Sequence, residues 1–139
     1  MPEFELSFLV TATPSQKRQI LAMYHGQGWW PRSITDAERV QRVIEGSHCF
    51  LVATRGDQVV GFGRALSDRT GDAYIHDVNV KTDFRKQGLG HRIISTLTHR
   101  LKEDGITWVA LIAENNSHAF YEKLDFQIME NASPMYRWL

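Results

Sequence analysis

The pattern of apolar and polar positions alternates strand-like and helix-like stretches along the whole chain. Phe4 to Val10 reads as a first strand. Thr13-Pro14-Ser15-Gln16 then carries a helix start. Thr13 suits the N-cap, Pro14 the first helical position and Gln16 the third, as in a capping box. This helix is expected to run to about Gly26. Thr35-Asp36-Ala37-Glu38 repeats the signal, with Val40, Val43 and Ile44 as the apolar stripe and Gly46 as the stop. His48 to Thr54 and Gln58 to Leu66 read as strands joined by a hairpin turn at Arg55-Gly56-Asp57. Ser67 to Asp72 is polar and turn-rich, and Ala73 to Val80 is the next strand. From Gly88 to Asp104 the period becomes helical, with Ile93, Ile94, Leu97 and Leu101 on one face and Gly105 closing it. Ile106 to Ala113 is continuously apolar, the pattern of a strand buried on both faces. Asn116 to Leu124 reads as a short helix. Phe126 to Glu130 and Pro134 to Leu139 read as two last strands.

Neither a repeat nor a linker interrupts this order, so residues 1–139 are read as a single domain. Composition narrows the class. Hydrophobic residues make up 42% and charged residues 23%, which excludes a mostly disordered chain. Sixteen basic residues balance sixteen acidic ones, so net charge gives no support to nucleic-acid or membrane-surface binding. No apolar run reaches the ~18 residues of a membrane-spanning helix. Met1 to Glu5 lacks the basic start and apolar core of an export signal. With a lone cysteine, Cys49, no internal disulfide is possible, and a cytoplasmic location is expected. Cys49 sits in an apolar strand and reads as a packed thiol. Six histidines show no close metal-ligand spacing, so no metal is expected.

The sharpest local feature is Arg85-Lys86-Gln87-Gly88-Leu89-Gly90, between a strand and a helix. Glycines there let backbone amides turn outward at a helix N-terminus, where free N–H groups and the dipole favour an anion such as a diphosphate. A plain helix cap is the alternative. Ile93 stands where a Rossmann loop needs its third glycine, and the Gly-Lys-Ser/Thr of a Walker loop is absent.

Val78-Asn79-Val80 through Arg85-x-x-Gly88-x-Gly90 resembles motif A of the GCN5-related N-acetyltransferases, the GNAT superfamily. Asn116-Ser117-His118-Ala119-Phe120-Tyr121-Glu122-Lys123-Leu124-Asp125-Phe126 resembles its motif B. The element order matches too, so the resemblance covers nearly the whole chain. Ile75-His76-Asp77-Val78 and Phe120-Tyr121-Glu122-Lys123 look most like the glucosamine-phosphate acetyltransferase branch. The resemblance implies an α/β (α+β) fold. It has a mixed, mostly antiparallel sheet of about seven strands, a central parallel pair splayed for CoA, and about four flanking helices. One departure is Asp125, where motif B usually has glycine. A helix end there wants a left-handed residue, which Asp tolerates.

The resemblance further implies that acetyl-CoA lies where Ala73–Val80 and Ile106–Ala113 splay apart. Backbone groups of Asp77, Val78, Asn79 and Val80 would meet the pantetheine amides, in the manner of an added strand. The amides of Arg85, Lys86, Gln87, Gly88, Leu89 and Gly90 would hold the pyrophosphate. The acceptor is an amine, carried by a small molecule or a peptide. An amine of lysine-like pKa near 10.4 costs about 4.6 kcal/mol to deprotonate at pH 7, so a base is useful. His76 and Asp77 are the candidates. Strand alternation turns only one of them to the acceptor unless a bulge intervenes. His76 has the better intrinsic pKa, while Asp77 suits holding a cationic amine or orienting water. For each, the alternative is a buried, hydrogen-bonded strand residue. Tyr121 stands where the family often places the acid that protonates the departing thiolate; the alternative is core packing. Asn116 either caps its helix or contacts pantetheine. Trp29 and Trp30 either floor the acceptor pocket or form core plus rim. Direct transfer in a ternary complex fits better than an acetyl-enzyme. The rivals are a protein lysine or N-terminal acetyltransferase and a non-catalytic acyl-CoA sensor. The apolar C-terminus, Met135 to Leu139, hints at a homodimer through the last strands.

Overall fold

The computed structural model describes residues 3–139. The elements follow in the order β1 (Glu5–Phe8), α1 (Pro14–Gly26), α2 (Glu38–Gly46), β2 (Cys49–Arg55), β3 (Gln58–Leu66), β4 (Asp72–Val80), α3 (Leu89–Glu103), β5 (Trp108–Ala110) and α4 (His118–Glu122). A short 3₁₀ turn, Thr82–Phe84, links β4 to the glycine loop. The strands form one sheet in the order β1-β2-β3-β4-β5. It is antiparallel except at β4–β5, which is parallel. The mixed sheet with four helices is the expected architecture. It has five strands among the described residues rather than about seven.

Local chemistry accounts for most boundaries. Thr13 Oγ1 accepts from the Gln16 N–H at 3.1 Å, while Gln16 Oε1 accepts from the Thr13 N–H at 2.9 Å. This is the reciprocal capping box that fixes the start of α1. α2 starts later than the Thr35 signal suggested. Ala37 is the N-cap, and just ahead of it the Asp36 carboxylate accepts from the Glu38 N–H at 3.0 Å in an Asx turn. Gln41 on α2 is buried, accepts from the Ala12 N–H and donates to the Val10 carbonyl, tying the loop after β1 to the helix. Gly105 closes α3 in the left-handed region (φ 88°), and the Ile106 N–H reaches back to the Leu101 carbonyl at 3.0 Å.

Two cores lie on opposite sheet faces. Ile20, Tyr24, Val40 and Ile44 from α1 and α2 pack on Phe50, Val52, Val59 and Phe62. Leu89, Ile93, Ile94, Leu97 and Leu101 of α3 pack on Leu51, Ala53, Val60 and Ile75. α3 rides so low over β3 that a Cβ on Gly63 would meet Ile93 Cγ2 at 3.0 Å and Leu97 Cδ1 at 3.2 Å. Only glycine fits that approach without displacing buried side chains.

The C-terminal part departs most from expectation. The strand foreseen over Ile106–Ala113 is confined to Trp108–Ala110, and Trp108 is 52% exposed rather than buried. Its apolar run belongs to an outermost strand whose far side has no partner. Phe126–Glu130 and Pro134–Leu139 join no sheet, and every residue from 127 to 139 is exposed. The helix expected over Asn116–Leu124 is regular only from His118 to Glu122. Asn115 and Asn116 both take left-handed backbone, which delays its start. No helix among the described residues is long and apolar enough to cross a membrane.

Candidate active site

β4 and β5 pair only from Asp72↔Trp108 to Tyr74↔Ala110. β4 then runs on to Val80, while the chain after Ala110 leaves the strand conformation. The β5-facing backbone of β4 beyond Tyr74 is therefore without a ladder partner. This is the splay expected at Asp77 to Val80. A buried or half-buried strand edge of this kind offers N–H and C=O groups to an extended ligand.

At the end of β4 the chain turns through the glycine loop. Lys86 (φ 62°) and Gly88 (φ 77°) both take left-handed backbone, with Gly88 as the N-cap of α3. No side chain caps this helix start, and its first turn holds no acidic residue. The N–H groups of Leu89 and Gly90 thus have no side-chain acceptor among the described residues. A Cβ on Gly88 would meet nothing within 4 Å, so the loop face is open. Gly90 serves packing, since its Cβ would lie 3.4 Å from Phe120 Cζ on α4. The close approach brings motif B onto motif A. The Arg85 side chain folds back instead, its Nε donating to the Val80 carbonyl at 3.0 Å.

The α1-facing side of β4 is shaped by a bulge. Phe62 pairs with Asn79 and Arg64 with His76, so Asp77 and Val78 together stand opposite Gly63. Asp77 takes φ 58°. The extra residue breaks alternation and brings His76 and Asp77 together on the face that carries α1. The Asp77 carboxylate accepts from the Tyr24 hydroxyl at 2.6 Å and from Arg64 Nε at 2.8 Å. Burial and the Asp77 carboxylate push the Tyr24 hydroxyl well above the ordinary tyrosine range, so it stays a donor. The other carboxylate oxygen of Asp77 lies 3.2 Å from His76 Nδ1, and Arg64 Nη2 lies 3.3 Å from that same nitrogen. Asp77 is nearly buried, whereas the His76 side chain is 44% exposed. Asp77 is therefore committed to Arg64 and Tyr24, and His76 presents its ring to solvent.

Sequence reasoning missed Tyr24 and Arg64. Tyr24 lies on the apolar stripe of α1 and reads as core. Arg64 was legible as a lone charge within the otherwise apolar strand Val59–Leu66. Trp30 stacks on Tyr24 at 3.9 Å between centroids, and the Arg39 guanidinium covers it at 4.7 Å. It packs with the core on the α1 side of the sheet. Trp29 meets Tyr24 edge-on at 6.0 Å and remains 37% exposed, a rim residue. The Asn79 side chain is buried against α1, accepting from Gln27 Nε2 at 2.8 Å, so only its backbone faces the splay.

Tyr121 on α4 is half-buried beside Phe120 and Phe126, with ring centroids 5.1 and 5.9 Å away. Its hydroxyl bonds to no other described residue, and burial, then Glu114, raises its pKa. Asn116 does not cap α4; Ser117 holds the cap position, without a side-chain bond. Asp125 takes the left-handed turn (φ 68°) that motif B usually gives to glycine. Cys49 is buried and pushed up to about 11, an unreactive thiol. Among the described residues no cluster of three or more His, Cys, Asp or Glu is arranged to hold a metal.

Comparison with known proteins agrees with this geometry. An uncharacterized N-acetyltransferase, ycf52, of Pyropia yezoensis is 41% identical over 103 residues, covering 71% of this chain and 58% of its own. The chain thus spans a little over half the length of that relative. Glucosamine-6-phosphate N-acetyltransferase of Arabidopsis thaliana superposes with a TM-score of 0.77 at 24% identity, over 96% of this chain and 98% of its own. A probable acetyltransferase of Staphylococcus aureus superposes with a TM-score of 0.78 at 18% identity, over 99% and 100%. Both show a shared fold. The family model described as the acetyltransferase (GNAT) domain matches residues 12–135, and with the splayed strands and the uncapped loop in view the chain belongs to the GNAT family.

Proposed function

We propose that the chain transfers the acetyl group of acetyl-CoA to a primary amine by direct attack in a ternary complex. The observation that carries this reading is the loss of the β4 partner after Tyr74, directly ahead of an uncapped helix start. The residues present fit acetyl-CoA. The free edge of β4 from Asp77 to Val80 suits the pantetheine amides, and the loop from Arg85 to Gly90 suits the diphosphate. Bound there, acetyl-CoA supplies an activated carbonyl and a thiolate leaving group.

His76 takes the proton of the acceptor amine. In the Nδ1–H tautomer, whose Nδ1 lies 3.2 Å from an Asp77 carboxylate oxygen and 3.3 Å from Arg64 Nη2, the lone pair of Nε2 is free for that proton. Asp77 orients the ring and stabilises its cation, while Arg64 and Tyr24 hold Asp77 in place. Tyr121 donates its phenolic hydrogen to the departing sulfur. Its raised pKa keeps it protonated through neutral pH. Asn116 sits in the turn ahead of α4, where it suits a contact to pantetheine. A non-catalytic sensor would have no use for a base at His76 and an acid at Tyr121. A peptide lysine is the second reading for the acceptor, favoured by the exposure of His76 and by Trp30 being spent on packing.

The test is thiol release from acetyl-CoA over a panel of small primary amines and lysine peptides. Release with at least one small amine is the expected result. Release with peptides alone would favour the second reading. Acetyl-CoA binding without release on any acceptor would make the chain a sensor.

A further inference from the structure

Past the last rung of the β4–β5 ladder, Tyr74↔Ala110, the chain carries a carboxylate that the proposed mechanism does not use. Glu114 lies in the turn between β5 and α4. Its carbonyl accepts from the Ser117 N–H at 3.0 Å, and Asn115 and Asn116 after it both take left-handed backbone. The turn fixes the backbone of Glu114, while its exposed side chain enters no ion pair among the described residues. Two phenols stand within reach of its charge. Burial, then Glu114, raises the pKa of Tyr121 on α4, and the same causes in the same order raise that of Tyr74 on β4.

Tyr74 connects this carboxylate to the proposed base. Its half-buried ring stacks on the His76 imidazole, with centroids 5.3 Å apart and planes at 27°. The two residues alternate along β4 and so share one sheet face. Beside His76 the charges balance, because Arg64 Nε donates to the Asp77 carboxylate at 2.8 Å. Toward the Tyr74 hydroxyl, Glu114 stands without a cation. The site therefore has a balanced end at His76 and a negative end at Glu114, joined by an aromatic ring. The two ends suit different nitrogens. The reacting amine must give up its proton, and a carboxylate partner would hold that proton in place. Beside the reacting nitrogen Glu114 would oppose attack. Beside a second nitrogen, charged throughout, it carries no such penalty. A carboxylate next to an aromatic face suits an ammonium.

Resting on the acetyl-transfer reading above, we propose that Glu114 and Tyr74 form a subsite for a second ammonium, so that the acceptor is a small diamine with a few carbon atoms between its nitrogens. One nitrogen reaches His76 in its neutral form and is acetylated. The other stays protonated against Glu114, over the Tyr74 ring. A C–N bond forms as the C–S bond breaks. One N–H proton goes to His76, and Tyr121 supplies one to sulfur. The second nitrogen takes no part in the chemistry and serves to place the first.

Thiol release from acetyl-CoA is measured with putrescine and with butylamine, a monoamine of equal carbon length, on the wild type and on Glu114→Gln. The wild type should prefer putrescine by about tenfold or more in kcat/KM. In Glu114→Gln that preference should collapse, through the KM for putrescine rather than through kcat. Absorbance titration of the tyrosinates checks the placement: loss of the Glu114 charge should lower the pKa of Tyr74 and Tyr121, with an unchanged far-UV circular dichroism spectrum. Equal kcat/KM for the two amines in the wild type would overturn the subsite and leave acetyl transfer standing. A preference that survives Glu114→Gln would overturn Glu114 as its seat. Release with a lysine peptide flanked by a second lysine, and with neither free amine, would overturn the small diamine as acceptor. Release with no acceptor at all would overturn the acetyl-transfer reading, and the subsite with it.

Discussion

Tyr121 is placed by packing, and on the proposed reading its hydroxyl is the donor to the departing thiolate. Its ring is wedged between Phe120 and Phe126, while its hydroxyl keeps no partner among the described residues. Tyr121→Phe keeps the ring, so melting temperature and acetyl-CoA affinity should change little. Only the expulsion of the thiolate loses its donor. Steady-state kinetics should show kcat falling about tenfold or more, within the usual range for general-acid assistance. The pH dependence follows from the sign of the shift. A raised pKa prolongs the protonated, donating form, so the wild-type alkaline limb assigned to Tyr121 should lie above the ordinary tyrosine value of about 10. Full activity in Tyr121→Phe would reduce the residue to packing. At this scale the sequence was informative where one residue has one local job. Thr13 with Gln16, and Asp125 in its left-handed turn, needed only nearby chain. Tyr24 was hidden in an apolar stripe, and Arg64 showed only as a lone charge in an apolar strand, because their shared partner Asp77 lies on another element.

Among the elements, β4 governs the site, and the bulge opposite Gly63 governs β4. The alternation rule allowed only one of His76 and Asp77 on the acceptor face. The inserted residue lifts that limit, and Gly63 lets Ile93 and Leu97 press onto the sheet at the same point. Gly63→Ala adds a methyl group at 3.0 Å from Ile93 Cγ2 and 3.3 Å from Val78 Cγ2. The expected cost is about 1–3 kcal/mol, a fall of several degrees in melting temperature. Activity should fall beyond what stability explains, because Val78 neighbours Asp77 in the bulge. An unchanged melting temperature would mean that α3 is free to retreat from the sheet. Helix and hairpin positions were legible because periodicity and turn chemistry are local. The two last strands were not, because extended, apolar sequence specifies a strand only where a partner edge receives it.

For the whole molecule, two strand edges near β5 stand open among the described residues. The inner edge of β4 faces the splay, and the outer edge of β5 faces solvent. The order of elements and the two motifs disclosed the first opening. Nothing in the apolar run Ile106–Ala113 distinguished an outermost strand from a doubly buried one, so the second remained hidden. The central claim is that the splay and the glycine loop together bind acetyl-CoA. Calorimetric titration of acetyl-CoA into the wild type and into Gly88→Asp tests it most directly. A Cβ at Gly88 meets nothing within 4 Å, and Asp tolerates the left-handed backbone, so the variant should fold. The wild type should bind one acetyl-CoA per chain, while the carboxylate set against the diphosphate should weaken binding in the variant by about tenfold or more. Equal affinity in a folded Gly88→Asp would contradict the account, because the phosphates would then lie away from the α3 N-terminus.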